Sequence, residues 1–111
     1  MFSKTLAFDI DGVICKTSNS DYENSIPNEK AIKKINNLYN KGHKIIIFTA
    51  RFMGRTDDNI SKAYEIGFDF TTNQLKKWNV KYTKLIMGKP SFDLLIDDKA
   101  INYDENWIDQ I

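Results

Sequence analysis

An apolar segment near the N-terminus runs directly into two aspartates and a glycine, and this feature limits the possible folds more than any other. Residues 6–10 are apolar except for Asp9, and Asp11 and Gly12 follow at once. Carboxylates are rarely buried unless they are paired or bind metal. In an extended chain Asp9 and Asp11 point the same way, and two carboxylates about 4 Å apart repel by roughly 4 kcal/mol at an effective dielectric near 20. We therefore expect a positive group beside them, and a sharp turn at Gly12.

The composition predicts one ordinary domain over residues 1–111. Hydrophobic residues make up 41% of the chain, charged residues 28%, and the formal net charge is +1. These values predict a single core and no general affinity for nucleic acid or anionic lipid. No apolar run is long enough to span a bilayer, and we see no signal-peptide pattern. The single cysteine, Cys15, cannot form an internal disulfide, so we expect a cytoplasmic protein.

Short apolar segments alternate along the chain with segments whose apolar residues recur at helical spacing. This order predicts an α/β fold with a mostly parallel central sheet. The predicted strands are the near-continuous apolar runs at residues 4–9, 44–48, 85–87 and 92–96. The predicted helices lie at residues 28–42, 56–67 and 71–79, with a last turn or helix within residues 100–111. The polar segment 13–26 is predicted to form a short flap over the end of the first strand.

Polar residues follow three of these predicted strands, and the carboxyl ends of parallel strands meet at one edge of a sheet. The residues expected at that edge are Asp9, Asp11, Thr49, Arg51, Asp97 and Asp98, with Lys89 just before the last strand. Four carboxylates need a cation, and an all-oxygen site with room for water suits Mg²⁺ better than zinc. The only histidine, His43, is expected at the opposite end of its strand. A carboxylate is therefore the best candidate nucleophile, and carboxylate nucleophiles form acyl phosphates.

The chain resembles the haloacid dehalogenase-like superfamily of phosphohydrolases. Four segments carry the resemblance, in the order of the family's motifs: residues 8–13 (FDIDGV), 47–51 (IFTAR), 88–90 (GKP) and 95–98 (LIDD). The resemblance implies a Rossmann-like three-layer sandwich. It also implies a member without a cap domain, because the intervals between motifs hold only the fold's own helices and the flap.

The resemblance also implies a role for each matching residue. Asp9 would be the nucleophile, and Asp11 the general acid and base. Thr49 would bind phosphate through its hydroxyl, and Lys89 would steady Asp9 and the phosphoaspartate.

The implied cofactor is Mg²⁺, held by acidic residues of the first and last motifs. The expected ligands are Asp9, Asp97 and Asp98, together with Asp11 through its backbone carbonyl, and Asp97 is preferred over Asp98 as a direct ligand.

The short chain resembles small phosphatases associated with surface-polysaccharide and sugar-nucleotide pathways, which implies a small phosphorylated metabolite such as a sugar phosphate as substrate. The predicted substrate contacts are Ala50, Arg51, Arg55 and Lys16, with surface salt bridges as the alternative for the charged ones. A homo-oligomer in which a neighbour covers the site is a further expectation.

Other functions stay open at this point. One is a phosphatase acting on a phosphoprotein or a nucleic-acid end, and a phosphomutase is another. A catalytically silent binding domain belongs to a different class of protein. The simplest alternative is a strand that ends in an ordinary Asp-Gly turn.

Overall fold

A parallel three-stranded sheet lies at the centre of the fold in this computed structural model, which describes residues 3–111. In chain order the elements are β1 (Thr5–Phe8), β2 (Cys15–Lys16), β3 (Ile26–Pro27), α1 (Glu29–Asn40), β4 (Lys44–Thr49), α2 (Ile60–Lys77), β5 (Lys84–Met87) and α3 (Trp107–Gln110). The sheet order is β1-β4-β5, and Phe8 pairs with Ile47, which in turn pairs with Leu85. The α/β class and the parallel sheet are therefore confirmed, and the strands' carboxyl ends lie at one edge.

Helix α1 forms as the sequence predicts. The side chain of Asn28 caps it by accepting a hydrogen bond from the backbone N–H of Ala31 at 3.2 Å. The chain leaves the helix at Gly42, whose φ of 96° favours glycine. One stripe of α1 is buried in the core, and it consists of Ala31, Ile32, Ile35 and Leu38.

Helix α2 is one continuous helix, where the sequence predicted two helices separated at Gly67. Its cap is Asn59, which accepts from the N–H of Lys62 at 3.0 Å. Gly67 is not a stop but a packing position, because a Cβ on it would overlap the Phe52 ring. The prediction of a helix end at Gly67 was wrong for this reason. The predicted end near Asn79 is confirmed, and Asn79 has a left-handed backbone.

The predicted flap is present as a small antiparallel pair, β2 with β3, joined through a short 3₁₀ turn at Tyr22–Asn24. The chain enters it through a tight turn in which the backbone N–H groups of Val13, Ile14 and Cys15 donate to the carbonyl of Ile10. Gly12 has a φ of 89° in this turn. The expected sharp exit after Asp11 is therefore confirmed.

The predicted fourth strand at residues 92–96 is not formed, and that prediction was wrong. The apolar side chains of this segment are exposed, and Ile96 reaches 91%. A strand is stable only when a neighbouring strand accepts and donates its backbone hydrogen bonds, and an apolar pattern does not supply that partner. β1 consequently lies at an edge of the sheet, with Ala7 exposed.

The C-terminal residues return to the core through α3. Trp107 is buried there, and its ring lies 5.5 Å from that of Phe8 between centroids. The expected last helix is confirmed, although it is only four residues long. Within residues 3–111, no helix combines the length and apolar character needed to cross a bilayer.

The packing of α2 predicts an unusual effect of Gly67→Ala. In a helix interior this change normally stabilises by about 0.5–1 kcal/mol. Here we expect it to lower the free energy of unfolding by about 1–3 kcal/mol, because the new methyl group overlaps the Phe52 ring. Urea unfolding measures the change. The control is Asp69→Ala at an exposed position of the same helix, which should stay within about 0.5 kcal/mol of the wild type. A stabilised Gly67→Ala protein would contradict the packing described here.

Candidate active site

The first two aspartates of the predicted site lie side by side at the carboxyl end of β1. Asp9 and Asp11 both line an open cavity of about 210 Å³. The rest of its lining comes from the flap and from the residues after β4, and consists of Thr17, Ser20, Tyr22, Ala50 and Arg51. The strand end and the chain crossing from β4 thus form the floor of the cavity, and the flap forms a wall.

Lys89 brings a positive charge to Asp9. Its Nζ donates to Oδ2 of Asp9 at 3.3 Å, although the two residues are 80 positions apart. The other oxygen, Oδ1, accepts from the backbone N–H of Ile10 at 2.8 Å. The loop after β5 is held by the backbone N–H of Lys89, which donates to the carbonyl of Thr49 at 3.1 Å. The pair is partly exposed, with 36% of the Asp9 side chain accessible, so it orients Asp9 more than it stabilises the fold.

Arg51 binds Asp11 with two parallel hydrogen bonds. Its Nε donates to Oδ2 at 3.0 Å and its Nη2 donates to Oδ1 at 2.9 Å. The hydroxyl of Thr17 donates to the same Oδ1 at 2.6 Å. Planar two-point pairing of this kind is the strongest geometry for an arginine and a carboxylate. We expected a positive group beside the two aspartates because their carboxylates repel each other. Arg51 is that group for Asp11, and Lys89 is that group for Asp9.

Arg51 itself is buried, with only 1% of the residue exposed. Its remaining nitrogen, Nη1, donates to Oε1 of Gln74 at 2.6 Å. Its guanidinium carbon lies 4.7 Å from the centroid of the Tyr22 ring, within range of a cation–π contact. A buried charge is tolerated only when its hydrogen-bonding groups are partnered, and these contacts meet that requirement.

The flap is fixed to the rest of the molecule by the same group of residues. Nε2 of Gln74 donates to the backbone carbonyl of Tyr22 at 2.7 Å. The backbone N–H of Phe52 donates to the Tyr22 hydroxyl at 3.4 Å, and Arg55 donates to the carbonyl of Ser20 at 2.9 Å. The flap is thus a fixed wall of the cavity rather than a loosely attached loop.

Cys15 lies behind Asp11 and is 3% exposed. Burial raises the pKa of its thiol, and the neighbouring Asp11 raises it further, while the Thr17 hydroxyl and the Arg51 charge act in the opposite direction. A thiol that stays protonated is a weak nucleophile. Cys15 therefore serves as a small packing residue at this position.

The remaining predicted contacts divide into two groups. Ala50 and Arg51 are among the residues that line the cavity. Lys16 instead lines a second hollow on the outer side of the flap, and Arg55 stacks on the rings of Tyr22 and Phe52 outside the cavity lining. Thr49, predicted to bind phosphate, is fully buried and is not among the residues that line the cavity. Its hydroxyl accepts from the backbone N–H of Arg51 at 3.0 Å.

The structure does not bring Asp97 and Asp98 to the other two aspartates. Both are exposed, and Oδ1 of Asp97 accepts from the backbone N–H of Lys99 at 2.8 Å. Across the described chain, no group of three or more His, Cys, Asp or Glu side chains is arranged to hold a metal ion. The four-carboxylate set is not assembled because its last two members depended on the strand at residues 92–96.

The carboxylates of the cavity fit a Mg²⁺ ion that keeps most of its water ligands. Mg²⁺ usually binds one or two protein carboxylates and keeps several of its waters. Asp9 offers a partly exposed carboxylate in an open, polar cavity, whereas the carboxylate of Asp11 is already taken up by Arg51 and Thr17. A magnesium ion would therefore be held through Asp9 and water.

Sequence reasoning missed three residues that complete the site. Tyr22, Thr17 and Gln74 carry no motif, and each becomes important only through a partner distant in the sequence. Tyr22 is the sole aromatic in the polar segment 13–26, which was the one available signal. Gln74 sits on an amphipathic helix with no sequence feature that distinguishes it from a solvent-facing residue.

Comparison with known proteins shows a similarity of fold. No protein-family model matches the chain, and no curated protein matches it. A solved structure that is similar is the crystal structure of a structural-genomics target from Vibrio cholerae, at 29% sequence identity and a TM-score of 0.82. The alignment covers 96% of this chain and 94% of that one. The chain is thus an α/β protein whose architecture is shared along almost its whole length.

The burial of Cys15 predicts slow thiol chemistry. Native protein at pH 8 should react with a disulfide reagent such as 5,5′-dithiobis(2-nitrobenzoate) at least about a hundredfold more slowly than the urea-unfolded chain. The physical reason is that burial both blocks access and raises the pKa of the thiol. Since the chain has a single cysteine, the absorbance trace reports this site alone. Fast, stoichiometric labelling of the folded protein would contradict the burial.

Proposed function

We propose that the chain is a phosphomonoester hydrolase of the haloacid dehalogenase-like type that works through a phosphoaspartate on Asp9. The observation that carries the proposal is the contact between Lys89 and Asp9, which lines the same cavity as Asp11. This combination supplies a nucleophile, a cation beside it and a second carboxyl group two residues away. The family's three-layer, capless arrangement is the finer fold that the same proposal implies.

In the first step the carboxylate of Asp9 attacks phosphorus. A bond forms between the Asp9 oxygen and phosphorus, and the bond from phosphorus to the substrate's ester oxygen breaks. Asp11 enters this step as the neutral acid, protonated on Oδ2, the oxygen whose one partner is the Nε–H of Arg51. It gives that proton to the departing oxygen, which leaves as an alcohol. Lys89 offsets the negative charge that gathers on the phosphoryl oxygens.

In the second step water removes the phosphoryl group. Asp11, now a carboxylate, takes a proton from the attacking water, whose oxygen bonds to phosphorus. The bond between phosphorus and Asp9 breaks, which releases inorganic phosphate and restores the starting carboxylate. The polar, open cavity admits the water that this step needs.

Mg²⁺ is the proposed cofactor, with Asp9 as its carboxylate ligand. When bound, it would neutralise charge on the phosphoryl oxygens. The resemblance also implies Asp97 and Asp98 as ligands. They would reach the same ion only if residues 92–98 packed against the carboxyl end of β1, and in this structure they do not.

A small phosphorylated metabolite, such as a sugar phosphate, is the proposed substrate. The cavity of about 210 Å³ is bounded by the fixed flap and suits a phosphoryl group with a small leaving group. The Tyr22 ring is already contacted by the guanidinium groups of Arg51 and Arg55, so it offers little free surface for stacking a nucleobase. We therefore place small phosphate esters ahead of nucleic-acid ends.

Asp9→Asn tests the nucleophile. We expect at least a thousandfold loss of phosphate release from para-nitrophenyl phosphate, because a neutral amide cannot form the acyl phosphate. The control is Asp69→Asn, an exposed aspartate of α2 outside the cavity lining, which should retain wild-type turnover. A thermal melt confirms that each variant is folded. A fully active Asp9→Asn protein would rule out the covalent route.

Removal of divalent metal tests the cofactor. Treatment with EDTA followed by desalting should abolish phosphate release, and added MgCl₂ should restore it, because the phosphoryl charge then lacks its counter-ion. Ca²⁺ should restore less, since it is larger and accepts a looser coordination. A screen of phosphorylated sugars and related esters under the restored conditions then identifies the leaving group. Full activity after EDTA treatment would exclude the metal requirement.

A further inference from the structure

We propose that Arg51 and Gln74 are positioning residues that act in series, with Gln74 aligning Arg51 and Arg51 aligning the acid–base residue Asp11. This inference rests on the proposed function for its catalytic consequence. Its structural content, a two-point contact held by a third residue, can be tested without any activity.

The first step of the argument is that Arg51 has no nitrogen left for a substrate. Nε and Nη2 are directed at Asp11, and Nη1 is directed at Gln74. The Arg51 side chain is 0% exposed, whereas that of Asp11 is 28% exposed. Asp11 therefore faces the cavity, and Arg51 supports it from behind.

The second step is that Arg51 needs its own support. Two parallel hydrogen bonds fix the plane of the Asp11 carboxylate only when the guanidinium plane is itself fixed. Oε1 of Gln74 accepts from Nη1 on the side away from Asp11, and the Tyr22 ring lies against the guanidinium. Gln74 also donates to the Tyr22 carbonyl, so its amide cannot turn without losing a bond at each end.

The third step is the chemical consequence. A proton donor must lie within hydrogen-bond distance of the departing oxygen, and a displacement of about 1 Å at such a site costs on the order of 100-fold in rate. A residue that aligns Asp11 therefore affects turnover and not affinity. Its effect should be largest for alkyl phosphates, since an alkoxide needs a proton to leave and a nitrophenolate needs little help.

The structural test uses the chain's two arginines, Arg51 and Arg55. In a ¹H–¹⁵N spectrum the Nε–H of Arg51 should give a resolved signal that exchanges slowly with water, while that of the exposed Arg55 exchanges fast. Gln74→Met should speed the exchange of the Arg51 signal by at least about tenfold, and Asp11→Asn should shift it. Two equally fast-exchanging arginine signals in the wild type would overturn the proposal, whether or not the protein is a phosphatase.

The kinetic test compares Gln74→Met with the wild type on two substrates, para-nitrophenyl phosphate and an alkyl phosphate. We expect kcat to fall about 10- to 100-fold on the alkyl phosphate and less on the nitrophenyl ester, with KM within twofold on both. Gln74→Glu keeps an acceptor for Nη1 and should retain more kcat than Gln74→Met. The control is Asn73→Met, at the exposed neighbouring position of α2.

Arg51→Lys completes the comparison. Lysine keeps the charge but cannot span both oxygens of Asp11, so its loss of kcat should equal or exceed that of Gln74→Met. If KM rose instead and kcat stayed constant, Arg51 would be a substrate-binding residue and the proposal would fail. Equal losses on both substrates, in step with a lowered melting temperature, would also overturn it in favour of a purely structural role. Absence of phosphatase activity in the wild type would defeat the proposed function alone, and the spectrum would still decide the positioning.

Discussion

The buried charge of Arg51 is the constraint on which the site depends. A guanidinium group withdrawn from water must find partners for its donors, and here they come from the turn after β1 and from α2, with the Tyr22 ring of the flap against it. Removing one partner from such a pair typically costs about 3–5 kcal/mol, because the other charge is left buried and unpaired. The geometry of the cavity is therefore tied to the stability of the fold.

The centre of the fold was predictable because its signals are local and redundant. The runs that became β1, β4 and β5 are apolar and bounded by turn residues, and α1 combines an apolar stripe with a capping Asn28 and a terminating Gly42. The sharp turn at Gly12 was equally predictable, since few other residues tolerate its backbone conformation. Once the strands are parallel, Asp9 and Asp11 must lie at their carboxyl edge, as they do.

The errors arose where the outcome depended on a distant partner. Gly67 looks like a helix stop until Phe52, fifteen positions earlier, is packed on it. Residues 92–96 have a strand pattern, but nothing in the pattern guarantees an available edge. Gln74 has no local signal at all, because its role is defined by Arg51 and by the flap. Likewise, the resemblance placed Lys89 beside Asp9, but the sequence predicted Arg51 as a substrate contact and not as the partner of Asp11.

The exposed apolar run at residues 92–96 has a practical consequence together with the open side of β1. A second polypeptide can bind at either place. It can cover the exposed side chains of Leu94 and Ile96, and it can add a strand to the edge of the sheet at β1. At high concentration the protein should therefore aggregate through strand addition between molecules. Handling at low concentration, or a lysine introduced at position 94, would be the natural way to keep samples monodisperse.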